Sequence, residues 1–413
     1  MYKTQNLHKR LSISVMAIGF VAACSPSEPT ATNEIALQLG SSTVGPELEI
    51  TLKPGKGDYD TTDAKTVHLT IRNVSGKTLD FLRWAVPLGD QDADALAVSV
   101  DGKEVRYIGK RFKRPVPQSS DYMSLAPGAS LDTDVDLSAL YDVSQPGTYD
   151  ISFGRPLPAP AQQALRNTPG AAKFLVHGSP VTRIQSAAVI DPSGSNSFSG
   201  LCIGSKIDRI VAARSTALLM ASRASSNLRN TQSVDQPYSD WYRPWFGAWN
   251  SSRYSTVQSN FYNISYYLRY ASYQFFCDCN DPSAFAYVYA NDPFKVHLCP
   301  AFWTSAPPGQ GGVLVHETSH FNVVAGTVDD NIYGRGACQA LAMSDPAHAI
   351  RIADCNEFYA EGALGTGFVI QTDSAPKYMQ IQPFSPTRSQ TMMLSPFRAV
   401  ASTTCASGPI ETG

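Results

Sequence analysis

Lysine almost disappears from the second half of this chain. Of 413 residues, the first 200 hold ten lysines and nine arginines, whereas residues 201–413 hold three lysines (Lys206, Lys295, Lys377) and eleven arginines. Positive charge is therefore kept there while one of its two carriers is thinned. Glutamate is scarce in the same stretch, limited to Glu317, Glu357, Glu361 and Glu411. Net charge is also small, formally −2, which leaves no basic field for nucleic acid. The apolar run at 11–23 (LSISVMAIGFVAA) is too short to cross a bilayer comfortably. The length suits two modest domains rather than one core, and 43% hydrophobic with 16% charged residues is ordinary for a globular protein.

Lys3, Lys9 and Arg10 precede the apolar run, the arrangement of an export signal. The run ends in VAAC, small residues before a cysteine, which resembles a bacterial lipobox and would make Cys24 the lipidated first residue. An ordinary secretory signal is the alternative. The Pro/Ser/Thr-rich stretch 25–33 reads as a tether. On either reading the protein leaves the cytosol, so disulfides are permitted. The expectation is an envelope lipoprotein precursor, membrane-bound through Cys24, with a catalytic part that stays anchored or is released.

Residues 25–155, after the tether, carry short alternating segments such as LEITLKP, VHLTIRNV and GTYDISF, separated by turn signals. They predict an all-β sandwich of immunoglobulin-like character. Residues 156–199 are rich in Pro, Ala, Gly and Ser without a clear period and read as a linker. After about residue 200 the pattern changes to helix-spaced apolar positions interleaved with aromatic, strand-like segments, AFAYVYA and KVHLCPAFW among them. Residues 366–413 form a C-terminal extension with no functional reading.

Eight cysteines are present: Cys24, Cys202, Cys277, Cys279, Cys299, Cys338, Cys355 and Cys405. With Cys24 reserved for lipid, seven remain, an odd count. CDC at 277–279 lacks the spacing of a zinc knuckle, so structural disulfides are expected instead. Cys338 and Cys355 lie eight residues before and nine after Pro346. If that proline turns a helical hairpin, the two meet at matching heights. The pair Cys338–Cys355 is expected, with Cys405 left over.

The chemistry concentrates at 316–334, HETSHFNVVAGTVDDNIYG. His316 and His320 are four apart, hence on one helical face, and can offer two imidazoles to one metal. Glu317 between them is placed to take a proton from a water attacking a carbonyl. A catalytic zinc needs a third ligand. Gly326 turns the chain back, and Asp329 and Asp330 follow at once. Tyr333 could donate to an oxyanion.

H-E-x-x-H followed by G-T-x-D-x-x-Y-G resembles the aspzincin metalloendopeptidases, the family of deuterolysin and the peptidyl-lysine metalloendopeptidases. The similarity spans about residues 200–365 and includes PWFGAW, FAYVY and LCPAFW. It implies a mainly helical α+β, zincin-like metallopeptidase domain with one Zn2+. It also implies an aspartate as third ligand, Glu317 as general base, Tyr333 as transition-state donor, and the bridges Cys202–Cys277 and Cys279–Cys299. GTVDDNIYG departs from the family pattern by one extra residue. Asp329 keeps the distance from Gly-Thr, and Asp330 keeps the distance to the tyrosine. Asp330 is expected as the ligand, because D-x-x-Y holds two groups that must converge on one carbonyl, and Asp329 then supports it.

Asp354 and Glu357 are three apart on a predicted helix and share a face. Two carboxylates beside a peptidase cleft suit a cationic side chain, where an isolated pair would ordinarily be a solvated edge. Their spacing matches the lysine-binding residues of the peptidyl-lysine enzymes, which implies cleavage on the N-terminal side of lysine, with lysine in S1′. An enzyme of that kind gains from few lysines of its own. Lys173, in the expected linker, would be a site of self-processing, and the β domain would be a propeptide or a spacer. Partners are then protein or peptide substrates, the membrane through its anchor, and no nucleic acid; a monomer is expected. A glutamate third ligand of the thermolysin kind, and a non-catalytic envelope lipoprotein with a structural zinc, are the competing readings.

Overall fold

The computed structural model describes residues 45–364, apart from 89–91, 155–156, 160–163, 183–189 and 191–193. The export signal, Cys24, the tether, residues 366–413 and Cys405 lie outside the described residues. The chain divides into two compact units. One takes residues up to Tyr107 and Gln118–Thr182; the other takes Ile108–Pro117 and everything from Arg183.

The first unit is built from strands whose burial alternates with the two-residue period of a pleated surface. Leu48–Pro54 and Thr66–Asn73 pair antiparallel, with Ile50 opposite Ile71 and Leu52 opposite Leu69, all buried. Ser130–Asp136 continues that sheet on one side and Asn167–Thr168 on the other. A second, five-stranded sheet runs in the order Asp58–Asp60, Ala171–His177, Gly147–Phe153, Leu96–Val100, Lys103–Glu104. Its Ala171–His177 strand corrects the expected linker. AAKFLVH alternates outward and inward, and Phe174 stacks on Tyr149 with ring centroids 5.3 Å apart. The alternation was masked by the Pro- and Gly-rich residues around it. Lys173 therefore sits in a paired strand opposite Asp150, to which its ammonium is bound at 2.9 Å, and not in an open linker as expected. That strand is paired on both sides, to Gly147–Phe153 and Asp58–Asp60, so it has no free edge along which an active site could take it up.

The second unit mixes helices with one sheet. Its strand order is Asn196–Ser199, Tyr273–Phe276, Lys295–Leu298, Ala286–Tyr289, Lys110–Lys113. The first three are parallel; Ala286–Tyr289 is antiparallel to its neighbours on both sides. The long helix Ser205–Asn230 buries Ile210, Ala213, Ala217, Met220, Ala221, Ala224 and Leu228, an apolar face of mostly small residues. Small residues let helices approach, and Pro307–His320 packs closely here: a Cβ on Gly311 would stand 2.6 Å from Thr216 Cγ2. Buried Arg214 on the long helix donates to the carbonyls of Gly194, Ser195, Leu268 and Ala271, joining helix to sheet edge. The helix Ser251–Tyr270 is capped by Asn250, whose side chain accepts from Arg253 N–H at 3.1 Å.

Helical pattern on both sides of SDPAH is realised as Arg335–Ser344 and Ala353–Gly362, with a short Pro346–Ala349 turn of helix between. Cys338 and Cys355 are bridged across that hairpin, and Cys202–Cys277 and Cys279–Cys299 are also bridged.

Candidate metal centre and substrate pocket

The helix Pro307–His320 carries His316, Glu317 and His320, all fully buried. Their four-residue spacing brings the two imidazole Nε2 atoms within 3.1 Å of each other. The chain leaves the helix at Phe321 and reverses at Gly326, whose φ of +59° lies in the left-handed region. Thr327 then ties the returning chain down. Its N–H donates to Ser319 O at 3.1 Å, and its carbonyl accepts from His320 Nδ1 at 2.9 Å. A carbonyl can only accept, so Nδ1 carries the proton and Nε2 the lone pair. Burial favours the neutral ring as well, holding His320 below its ordinary pKa.

Val328 continues the anchoring, donating to Arg351 O at 2.8 Å and accepting from Ala353 N–H at 3.0 Å. Asp329 follows directly. Its Oδ1 lies 3.1 Å from His316 Nε2 and 3.3 Å from His320 Nε2. Asp330 does not join them. Ile332 N–H donates to Asp329 O at 2.8 Å, closing a turn whose central residues, Asp330 and Asn331, have φ of +48° and +57°. The turn swings the Asp330 carboxylate to His348, with Oδ2 2.6 Å from Nε2.

The expectation of Asp330 as the third ligand is therefore corrected to Asp329. The extra residue does not lengthen the loop ahead of the ligand, because the bonds of Thr327 and Val328 hold that distance. It is absorbed after the ligand, in a left-handed turn that Asp and Asn tolerate better than other side chains.

Two imidazole nitrogens and a carboxylate oxygen thus converge in a buried place. Asp329 Oδ1 has no well-aligned hydrogen-bond donor among the described residues. Burial disfavours its charge, but the two imidazoles outweigh burial and hold the carboxyl below its ordinary range. Two imidazole nitrogens and one carboxylate oxygen form a donor set that fits a zinc ion with a fourth position left open.

Glu317 stands beside this cluster. Its Oε2 is buried with no hydrogen-bond partner among the described residues, its Oε1 accepts from the backbone N–H of Lys113 at 3.3 Å, and burial pushes its carboxyl up to about 8. Tyr333 is buried too. Burial, and after it the charge of Asp329, push its phenol well above the ordinary value, so it remains a proton donor.

Asp354 and Glu357 project from the first turns of Ala353–Gly362, both buried. Between them sits the ammonium of Lys113, 2.6 Å from Asp354 Oδ1 and 2.7 Å from Glu357 Oε2. Nζ also lies 5.0 Å from the centroid of the Phe358 ring. Burial opposes the charge on Lys113, but the two carboxylates outweigh it and raise its pKa. Asp354 reaches the metal cluster as well: Oδ1 is 3.0 Å from His316 Nδ1, with Glu357 Oε2 at 3.3 Å, and Oδ2 accepts from Gly334 N–H at 2.6 Å. Pocket and metal cluster therefore share a side chain. Gly312 makes the helix contact possible, since a Cβ there would stand 2.5 Å from Glu361 Oε1 and 2.9 Å from Glu357 Oε1. Glu361 pairs with Arg335, and burial pushes its carboxyl up to about 8.

Sequence reasoning brought together His316, His320, Glu317, Asp354 and Glu357. It missed Lys113, Gly312 and the Arg335–Glu361 pair. The signal for Lys113 was present in KRFKR at 110–114, a dense basic run inside a β-rich region.

The family described as "Lysine-specific metallo-endopeptidase" matches residues 231–361. An extracellular protease of Aeromonas hydrophila is 38% identical over 330 residues, covering 77% of this chain and 92% of that protein. A peptidyl-Lys metalloendopeptidase of Armillaria mellea is 29% identical over 346 residues, 79% of this chain and 95% of that one. The solved zinc peptidase of Grifola frondosa shares 36% identity over 39% of this chain and 97% of its own, with a TM-score of 0.37. On the family match and the similarity to the Aeromonas protease, the chain belongs to the aspzincin family of zinc metalloendopeptidases.

Proposed function

We propose that this protein is the precursor of an exported endopeptidase that cleaves peptide bonds on the N-terminal side of lysine. His316, His320 and Asp329 would hold the zinc. Bound there, zinc supplies Lewis acidity to the carbonyl under attack. Glu317 takes a proton from the attacking water and returns it to the departing amine. The Tyr333 phenol donates to the oxyanion. Asp354 and Glu357 receive the lysine ammonium in S1′, and Asp354 also orients His316 through Nδ1.

The observation that carries this reading is the ammonium of Lys113 held between those two carboxylates, next to the metal cluster. A compact ammonium reaches both oxygens, whereas a planar guanidinium asks for a bidentate face. The names of the Aeromonas, Armillaria and Pleurotus ostreatus relatives, an extracellular protease and two peptidyl-Lys metalloendopeptidases, agree with lysine specificity and export. On this reading the β domain is the propeptide, immunoglobulin-like in character. Cys24 is its lipid anchor before processing, and the mature catalytic part works as a monomer.

The test is digestion of a peptide library containing lysine and arginine by processed protein. Cuts before lysine, lost with a chelator and restored by zinc, are expected. Cuts distributed without regard to lysine would favour a deuterolysin-like enzyme of broad specificity.

A further inference from the structure

We propose that the Phe112–Lys113 bond is the enzyme's own processing site, held in its cleft as a first, intramolecular substrate. This rests on the reading that the protein cuts before lysine, and adds a site that the reading does not supply.

The side chain of Lys113 already fills the lysine pocket. The backbone adds three further observations. The strand Lys110–Lys113 lies antiparallel on Ala286–Tyr289 at the edge of the sheet, with Lys113 opposite Ala286 and Phe112 opposite Tyr287. Extended peptides bind exposed sheet edges in this way. Phe285 N–H donates to Lys113 O at 2.8 Å, so the pairing continues past the lysine. Most telling is the Lys113 nitrogen itself, whose N–H points at Glu317 Oε1 from 3.3 Å. When a bond before lysine is split, that nitrogen leaves and must receive a proton. Here it faces the carboxyl that would deliver one.

The flanking residues hold the register. The Phe112 ring lies 5.2 Å from that of Tyr287. Arg114 donates to Asp281 and to the Ser283 hydroxyl, each at 2.9 Å. Lys110, three residues earlier, has its ammonium 5.5 Å from the Tyr287 ring centroid, so the one segment offers two lysines and the pocket holds only Lys113. The chain enters this stretch from Tyr107 of the first unit and returns to that unit at Gln118, so a single cut turns a closed loop into two ends.

The reaction consumes one water. The C–N bond between Phe112 and Lys113 breaks, and the water oxygen becomes part of a new Phe112 carboxylate. Both water protons finish on the Lys113 amine, which becomes an ammonium. While the bond is intact the lysine pocket is taken, so peptides added from outside compete poorly.

The test uses the full-length, zinc-loaded protein, with products read by mass spectrometry and N-terminal sequencing. A new N-terminus at Lys113 is expected, formed at a rate independent of protein concentration. Activity on added lysyl peptides should rise along the same time course. Glu317→Gln and Lys113→Arg chains, each checked for zinc content and circular dichroism, should keep the bond. A preparation that cuts lysyl peptides yet leaves Phe112–Lys113 whole overturns the proposal and leaves the functional reading standing. The Lys113 terminus appearing in the Glu317→Gln chain also overturns it. Zinc-bound protein that cuts neither itself nor lysyl peptides overturns both.

Discussion

Asp329 and Asp330 are adjacent in the chain and serve different partners: the first lies within 3.3 Å of two imidazoles, the second 2.6 Å from His348. Removing each carboxylate should therefore have different consequences. Asp329→Ala should lose stoichiometric zinc and lower kcat/KM by at least about 100-fold, whereas Asp330→Asn should keep its metal and lose no more than about 10-fold. Metal analysis of the purified variants, beside peptide kinetics, decides this. Loss of zinc from the Asp330 variant alone would reverse the assignment.

Asp354 meets Lys113, His316 Nδ1 and Gly334 N–H, whereas Glu357 lies nearest Lys113, which separates their variants. Glu357→Gln should lower kcat/KM for lysyl peptides by about 100-fold, since a buried charge pair loses one member. Zinc affinity should change little. Asp354→Asn should show a comparable loss together with about 10- to 100-fold weaker zinc binding, because the partner of His316 Nδ1 is altered. Zinc titration of the two variants reads the difference directly.

Burial sets a pH dependence that appears once zinc is removed. The Glu317 carboxyl rises from an ordinary 4.5 to about 8 in the fold. The folded state then binds the proton more tightly than the unfolded state. Its stabilising contribution is complete below about 4.5 and is lost as pH rises towards about 8. Chelator-treated wild-type protein should lose up to a few kcal/mol across that window through this group. Glu317→Gln should flatten the profile while abolishing turnover. Urea denaturation at several pH values measures it; an unchanged slope in the variant would remove Glu317 as the cause.

The bridge Cys338–Cys355 closes a loop of 17 residues and ends next to Asp354. Replacing both cysteines by serine should cost about 3 kcal/mol of stability. The residual enzyme should show a raised KM for lysyl peptides more than a lowered kcat, because Cys355 helps to seat the helix that carries the pocket. Equal loss in both constants would mean that the bridge acts on the fold as a whole.

Gly312→Ala tests the helix contact behind the pocket. An added Cβ would stand 2.5 Å from Glu361 Oε1 and 2.9 Å from Glu357 Oε1, so a carboxylate must move. Preference for lysine over arginine peptides should fall while zinc content is kept. An unchanged preference would show that the two helices yield without moving the pocket carboxylates.

Much of this site was legible because its signals are local. His316, Glu317 and His320 fall on one helix by spacing alone, as do Asp354 and Glu357, and the Cys338–Cys355 pair followed from a helical hairpin. The strand Ala171–His177 was missed because seven alternating residues are a weak signal among prolines and glycines. Asp330 was favoured because counting residues to Tyr333 cannot reveal a turn with two positive φ angles.

Covalent spacing and helical period are properties of the chain itself, so the sequence alone determined the histidine pair, the glutamate beside it and the shared helical face of Asp354 and Glu357. Tertiary structure decided which of two neighbouring aspartates meets the imidazoles, and it brought Lys113 to Asp354 across 241 positions. The handedness of a turn and a contact between distant strands and helices depend on packing against the rest of the fold. No local period in the residues encodes either one.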